Sequence, residues 1–417
     1  MEKQHYLLLD GLRGVAALMV LWYHVFEGFA FAGGTMIETF NHGHLGVDFF
    51  FMLSGFVISY AYDDRWKSPS HRVTETPSLC QQSVSTVNVW SFFKRRLVRL
   101  QPMVVMGAVI GLATYLLQGG VRWDGTQMPF HWILVAFFLA MFLIPAYPGA
   151  SYDVRGNGEM YPLNGPSWSL FFEYIGNILY ALFIRKLSNK RLAFLVTITG
   201  LLWTGFVVFD ISTYDMIGIG WTLDAVNFFG GLLRMLFPFT LGMLMSRNFN
   251  KTPRHRDTET PSQSAGSELS DQTIFWLSVI VMFVLFSMPY ITKTGSVSLN
   301  GIYELSCIIL VFPAIIWFGA AANITNGFTT KLCKFLGDIS YPLYIVHYPV
   351  MYLFYSWLID NELYTLDETW QMVLLVMATN ITLAYICLKL YDEPVRKWLN
   401  NRISKIQNLK NSKVLRF

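Results

Sequence analysis

The sequence predicts an all-α integral membrane protein: a bundle of about ten transmembrane helices with one outer re-entrant or interfacial helix. Three observations predict it. Of 417 residues, 53% are hydrophobic and only 14% charged, against about a quarter charged in soluble domains, so lipid must cover the apolar mass. Eleven apolar runs reach or approach spanning length, which is about 20 helical residues. The basic residues fall in clusters between those runs and share one side only if a single run does not cross.

The runs lie at about 6–27, 45–62, 102–118, 131–147, 167–184, 192–210, 226–246, 274–291, 302–322, 335–358 and 369–391. With a cytoplasmic amino terminus and 131–147 not crossing, the cytoplasmic segments hold 25 of the 31 Lys and Arg, and the outer loops hold three: Arg122, Arg155 and Lys293. If 131–147 crossed, Arg185, Lys186 and every later basic cluster would flip outward. Ten spans are therefore expected, with both termini cytoplasmic in a plasma (inner) membrane. The run 131–147 is expected to lie in one long outer region, sheltered from lipid by its neighbours.

Residues 5–400 are read as the membrane-embedded domain and 401–417 as a basic cytoplasmic tail. Ser68–Ser85 and Arg247–Gln272, rich in Ser, Thr and charge, read as flexible linkers. No internal repeat stands out, which weighs against inverted-repeat transporter folds. The net charge of +4 sits in short clusters and implies no nucleic-acid partner. Four cysteines (Cys80, Cys307, Cys333, Cys387) have neither metal-ligand spacing nor a disulfide pattern, and no metal is expected. Asp10 and Arg13 interrupt the first run, which is thus no cleavable signal peptide.

Ionisable groups inside spans are costly and usually functional. The first helix carries Asp10, Arg13 and His24. Eleven residues separate Arg13 from His24, which puts them on nearly one face and about 16 Å apart along the axis. Asp10 and Arg13 also suit a structural ion pair, and His24 an interfacial position. Asp48 begins the second span at a depth similar to His24, where it is expected to orient and charge-stabilise the imidazole; an Asp there equally suits a helix amino terminus. Glu173, behind Trp168, and His347 complete four ionisable residues from four helices, expected to share one outer cavity. On the cytoplasmic side, Arg96 and Arg99 share a helical face. Their guanidinium forks suit phosphate, although basic residues at helix ends also serve simply to fix topology.

These residues make the chain resemble the acyltransferase-3 family of membrane O-acyltransferases over roughly residues 5–400. The elements are Leu9-Asp10-Gly11-Leu-Arg13-Gly14, with His24 after ten intervening residues, and Gly46-Val-Asp48-Phe-Phe-Phe with Leu53-Ser-Gly-Phe56. Arg96-x-x-Arg99, Trp168-Ser-Leu with Glu173, and Gly337-Asp-Ile-Ser340-Tyr-Pro-Leu-Tyr-Ile-Val-His347 follow. Asp392-Glu393-Pro394 closes the series. One departure is Ser-Leu-Phe-Phe before Glu173, where the family has a more polar run.

The resemblance implies a cytoplasmic acyl-coenzyme A donor, acetyl-CoA in the first instance, and an acceptor sugar at the outer face, with no permanently bound cofactor. It implies roles in activity for Arg13, His24, Arg96 and Arg99. The expected site is then His24, Asp48 and Arg13 as catalytic residues and Arg96 and Arg99 on the donor. Asp10, Trp168, Glu173 and His347 line the acceptor site or cavity. His24 acts as general base on the acceptor hydroxyl, or carries the acyl group itself. Trp123, Trp132, Tyr147, Tyr152, Tyr161 and Trp168 are candidates to stack sugar rings, or an ordinary interfacial belt. Envelope glycan-synthesis proteins are the partners this implies, besides lipid. The competing class is a proton-coupled carrier using His24, Asp48, Glu173 and His347 as a path.

Overall fold

The computed structural model describes residues 6–66, 87–249, 264–291 and 295–414, which are helical apart from loops and two isolated bridges. Ser68–Ser85, with Cys80, lies outside the described residues. Eight helices are long and apolar enough to cross a membrane. They are α1 (Leu7–Phe31), α2 (Leu45–Tyr62), α3 (Val89–Leu117), α5 (Ser167–Leu182), α6 (Asn189–Val208) and α7 (Ala225–Phe249). The last two are α9 (Leu299–Ser306) running into α10 (Phe312–Ala321), and α12 (Leu366–Cys387) running into α13 (Glu393–Val414). Each of these two pairs is continuous through a π turn.

The remaining helices are α4 (Phe130–Met141), α8 (Ser264–Phe286) and α11 (Gly327–Asp360). The apolar part of α8 is shorter, Asp271–Phe286. Helix α11 carries His347 and five tyrosines and is the interior helix of the bundle, with residues from Thr329 to Leu358 buried along it. Its amino terminus is set by Asn326, whose side chain accepts from Phe328 N and Thr329 N.

Two close approaches fix the frame. Gly14 of α1 lies against the Leu336 backbone of α11, where a Cβ would come within 2.4 Å of the carbonyl oxygen. Gly55 of α2 and Gly242 of α7 face each other's helices so closely that a Cβ on either would stand 1.9–2.0 Å from a carbonyl oxygen. Small residues at these crossings let backbones pack without a side chain between them.

The run at 131–147 forms no helix of spanning length. Its helix, α4, has 12 residues, about 18 Å at 1.5 Å per residue, against the ~30 Å hydrocarbon. Two residues past its end Leu143 takes a left-handed φ of 53°. The carbonyls left over at that end are taken by side chains: Gln101 Nε2 donates to Met141 O at 2.6 Å, and Tyr161 OH to Leu143 O at 2.8 Å. Gln101 lies just before the apolar part of α3, so the end of α4 is tied to that helix, while Phe138, Phe142 and Ile144 stay exposed.

Two expectations are corrected. The stretch Arg247–Gln272 is not linker throughout: α7 continues to Phe249 and α8 begins at Ser264, with 250–263 outside the described residues. Arg155 is no exposed loop cation. It is 2% exposed, its guanidinium 3.5 Å from the Tyr352 ring centroid with Trp123 and Tyr115 around it, and it donates to Pro162 O and Gln118 Oε1. A cation caged by aromatic faces anchors the 119–166 region onto α11.

Candidate active site

Helix α1 strings the functional side chains along one line. Asp10 and Arg13 lie at its start, 3.4 Å apart. Arg13 Nε donates to Ser340 Oγ at 2.8 Å and Nη2 to Gly337 O at 2.9 Å, which ties α1 to α11. Three turns on, His24 Nδ1 meets Glu27 Oε2 at 2.7 Å. The same oxygen receives Tyr348 OH at 3.0 Å and Tyr355 OH at 2.9 Å. A carboxylate can only accept, so Nδ1 carries the proton and Nε2 is the basic nitrogen. Glu27, three residues after His24, is the carboxylate that orients the ring.

Three adjacent cavities run along this line. At the far end of the bundle a cleft is lined by His24, Glu27, His44, Trp168, Tyr214 and Trp221 among others. The middle cavity is lined by Arg13, Arg96, Arg99, Glu173, Ser54 and Ser340 together with aliphatic and Phe side chains of α2. The cleft at the start of α1, the basic end, is lined by Arg13, Arg99, Lys334 and Arg396 and by as many carboxylates, Asp10, Asp338, Asp392 and Glu393. Val47 and Tyr344 border both the far-end and middle cavities; Arg13, Arg99 and Tyr341 border both the middle and basic-end ones.

The expected single outer cavity is therefore corrected. Of His24, Asp48, Glu173 and His347, His24 alone lines the far-end cleft. Asp48 does not touch His24. It is fully buried and binds Arg234 through both oxygens, with Nη2 to Oδ2 at 2.8 Å and Nε to Oδ1 at 3.0 Å. Arg234 also donates to Ile219 O and His44 O and lies over Trp168. The reason is electrostatic: a guanidinium buried to 1% must have a carboxylate, and Asp48 sits on the α2 face that meets α7.

Glu173 faces the middle cavity, accepting from Arg96 Nη2 at 2.7 Å and Ser54 Oγ at 3.0 Å. The two expected donor residues thus differ: Arg96 is 6% exposed and held by Glu173, while Arg99 is exposed and faces two cavities. His347 borders none of the three cavities. It is 1% exposed, stacks on His24 with ring centroids 5.2 Å apart, and turns Nδ1 to Tyr344 O at 2.9 Å. Asp10 lines the basic-end cleft, not the acceptor side.

Of the six aromatics proposed to stack sugars, Trp168 lines the far-end cleft. Tyr161 is buried with its hydroxyl on Leu143 O, and Trp132 and Tyr152 pack in a separate core cluster. The aromatic wall is built instead by Tyr23, Phe31, Tyr214, Trp221 and Tyr348.

Sequence reading missed Glu27, Arg234 and a buried cluster next to the cleft. In that cluster Glu304 pairs with His42 Nδ1 at 2.9 Å, accepts from Ile217 N at 2.6 Å, and has His44 Nε2 2.9 Å away as an ion-pair contact. For Glu27 the signal was present, an acidic residue at i+3 from an intramembrane histidine. Among the described residues no group of three His, Cys, Asp or Glu is placed to hold a metal ion. Glu159, in the loop before α5, also borders the cleft and accepts from Tyr352 OH. Burial pushes its carboxyl up to about 7.

A family profile described as an acyltransferase domain, of the acyltransferase-3 type, matches residues 6–389. A Staphylococcus aureus (strain COL) protein, an O-acetyltransferase by provisional description, is 25% identical over 85% of this chain and 52% of its own length. The chain thus spans about half the length of that relative. Protein 2 of the picA locus of Rhizobium radiobacter is 27% identical over 47% of this chain and 91% of its own length. The acyltransferase MdmB of Streptomyces mycarofaciens is 28% identical over 44% and 41%. No solved structure matches the chain.

Proposed function

The chain belongs to the acyltransferase-3 family, and from that premise we propose that it moves an acyl group, acetyl in the first instance, from cytoplasmic acyl-CoA to a hydroxyl of an extracytoplasmic glycan or glycolipid. The observation that carries this reading is the row of three adjacent cavities, lined at one end by four basic side chains with four carboxylates and bordered at the other by His24. Such a row suits a donor with a charged head, a thin arm and a reactive tip.

In this reading the basic end is cytoplasmic, in line with the clustering of Lys and Arg. The donor's phosphates face Arg99, and its arm threads the middle cavity past Arg13. The thioester then reaches His24 while the sugar lies in the far-end cleft against Trp168, Tyr214 and Trp221. His24 Nε2 takes the proton of the acceptor hydroxyl as the oxygen attacks the thioester carbonyl carbon. The C–S bond breaks, and the departing sulfur receives that proton from the imidazolium. Glu27 steadies the positive charge while it lasts. In the covalent variant Nε2 itself takes the acyl group first, and the hydroxyl then removes it.

The test is purified protein in lipid nanodiscs given acetyl-labelled acetyl-CoA. Release of free coenzyme A, fast with a glycan acceptor or slow by hydrolysis without one, is expected, and it should vanish in His24→Ala. Wild-type protein that never consumes the donor under either condition sinks the reading.

A further inference from the structure

Two side chains form the partition between the middle cavity and the far-end cleft. Val47 of α2 and Tyr344 of α11 border both, and among the described residues every other lining residue borders only one of the two. Each of the pair is 6% exposed. His24 borders the far-end cleft and neither of the other cavities. A thioester that arrives from the middle cavity therefore meets His24 only by bringing its acyl group past Val47 and Tyr344.

Both walls of this passage are held in place. The Tyr344 hydroxyl is 2.7 Å from Ser169 Oγ, and its ring stands edge-on to Phe50 with centroids 5.5 Å apart and 5.8 Å from the His347 ring. Val47 is β-branched and keeps one strongly preferred χ1 in a helix. The backbone beneath it is pinned from two directions. Gly46 packs on α1 so closely that a Cβ would come within 2.6 Å of Val20 Cγ2, and Asp48 is bound through both oxygens by Arg234 of α7. Walls that cannot retreat select by size, and a close-fitting apolar site resolves a single methylene by roughly 10-fold or more.

We propose that Val47 and Tyr344 form the opening through which the acyl group reaches His24, and that this opening sets acyl size, admitting acetyl and excluding butyryl and longer chains. The inference rests on the acyl-CoA reading above and adds to it which acyl groups the enzyme transfers. Ser169 is the positioning residue: its hydroxyl holds the Tyr344 ring in the wall.

The test gives acetyl-CoA, propionyl-CoA and butyryl-CoA to the purified full-length protein in lipid nanodiscs and reads release of free coenzyme A. With wild-type protein the rate should fall roughly 10-fold or more at each added methylene. Equal rates with acetyl-CoA and butyryl-CoA overturn the inference and leave the acyl-CoA reading standing. If none of the three is consumed, the acyl-CoA reading falls and the inference with it. Val47→Ala widens the opening and should raise the propionyl-to-acetyl ratio of rates roughly 10-fold, whereas Val47→Ile narrows it and should lower that ratio. Each ratio is taken within one preparation, so a variant that folds only in part loses both rates together and keeps its ratio. Tyr344→Leu opens the other wall, should raise the ratio likewise, and serves if Val47→Ala does not fold. A ratio that stays at the wild-type value when either wall is opened, or that does not fall in Val47→Ile, overturns the assignment.

Discussion

Glu27 holds His24: its carboxylate oxygen lies 2.7 Å from Nδ1, one helical turn along α1, with the hydroxyls of Tyr348 and Tyr355 on the same oxygen. The carboxylate that orients the imidazole thus comes from the same helix as the histidine. Helix α1 can carry the pair as a rigid unit, because residues at i and i+3 share a face.

The first prediction follows from that pairing. His24→Ala should lower acyl transfer by the ~10²–10⁴-fold typical of a lost general base, with normal insertion. Glu27→Gln leaves the base in place but removes the charge that supports its protonated form, so its loss should be smaller. Initial rates on purified variants check the order. A Glu27→Gln protein as fast as wild type would leave the carboxylate without a catalytic role.

Asp48 behaves as a structural residue. Its removal strands Arg234 in the interior, and breaking a buried pair costs about 3–5 kcal/mol. Asp48→Asn should therefore lower yield and the melting temperature in detergent, while the folded fraction transfers at close to the normal rate. Removing both charges, as Asp48→Asn with Arg234→Met, should restore part of the stability. A folded Asp48→Asn protein with normal melting and lost transfer would point to the chemistry instead.

Topology is open to cysteine labelling in a background without the native thiols. Ser151, exposed in the loop after α4, should react as cysteine with an impermeant reagent added outside, and Ser188, exposed before α6, should not. Labelling of position 188 from outside would invert the arrangement proposed here.

The Glu159 carboxyl sets a pH dependence. Its ordinary value is 4.5 and burial holds it near 7 in the folded protein, so the native state binds this proton more tightly than the unfolded chain. The stabilisation is full below about pH 4.5 and is lost as pH rises through 7. Melting temperature should fall between about pH 5 and pH 8, and Glu159→Gln should flatten that part of the profile. An unchanged slope in the variant would assign the dependence to other groups.

Much of the architecture was legible from one dimension. Apolar run length and the placement of Lys and Arg act through the bilayer, a solvent with a fixed thickness and a charge asymmetry, so they can be read residue by residue. That reasoning placed the helices and set 131–147 apart from the long spans. The face shared by Arg13 and His24 was equally readable, because it depends on one helix alone. Which helix meets which was not. Asp48 and Arg234 lie 186 residues apart, and nothing local told Asp48 to turn to α7 and leave His24 to Glu27. Glu173 was assigned to the outer cavity from its position in α5, yet Arg96 of α3 draws it to the middle one. Arg155 counted as a loop charge until Tyr352 of α11 supplied its cage. Partner choice for a buried charge is settled by desolvation, which demands the nearest opposite charge in three dimensions, and only the packing of α1, α2, α3, α5, α7 and α11 decides which charge that is.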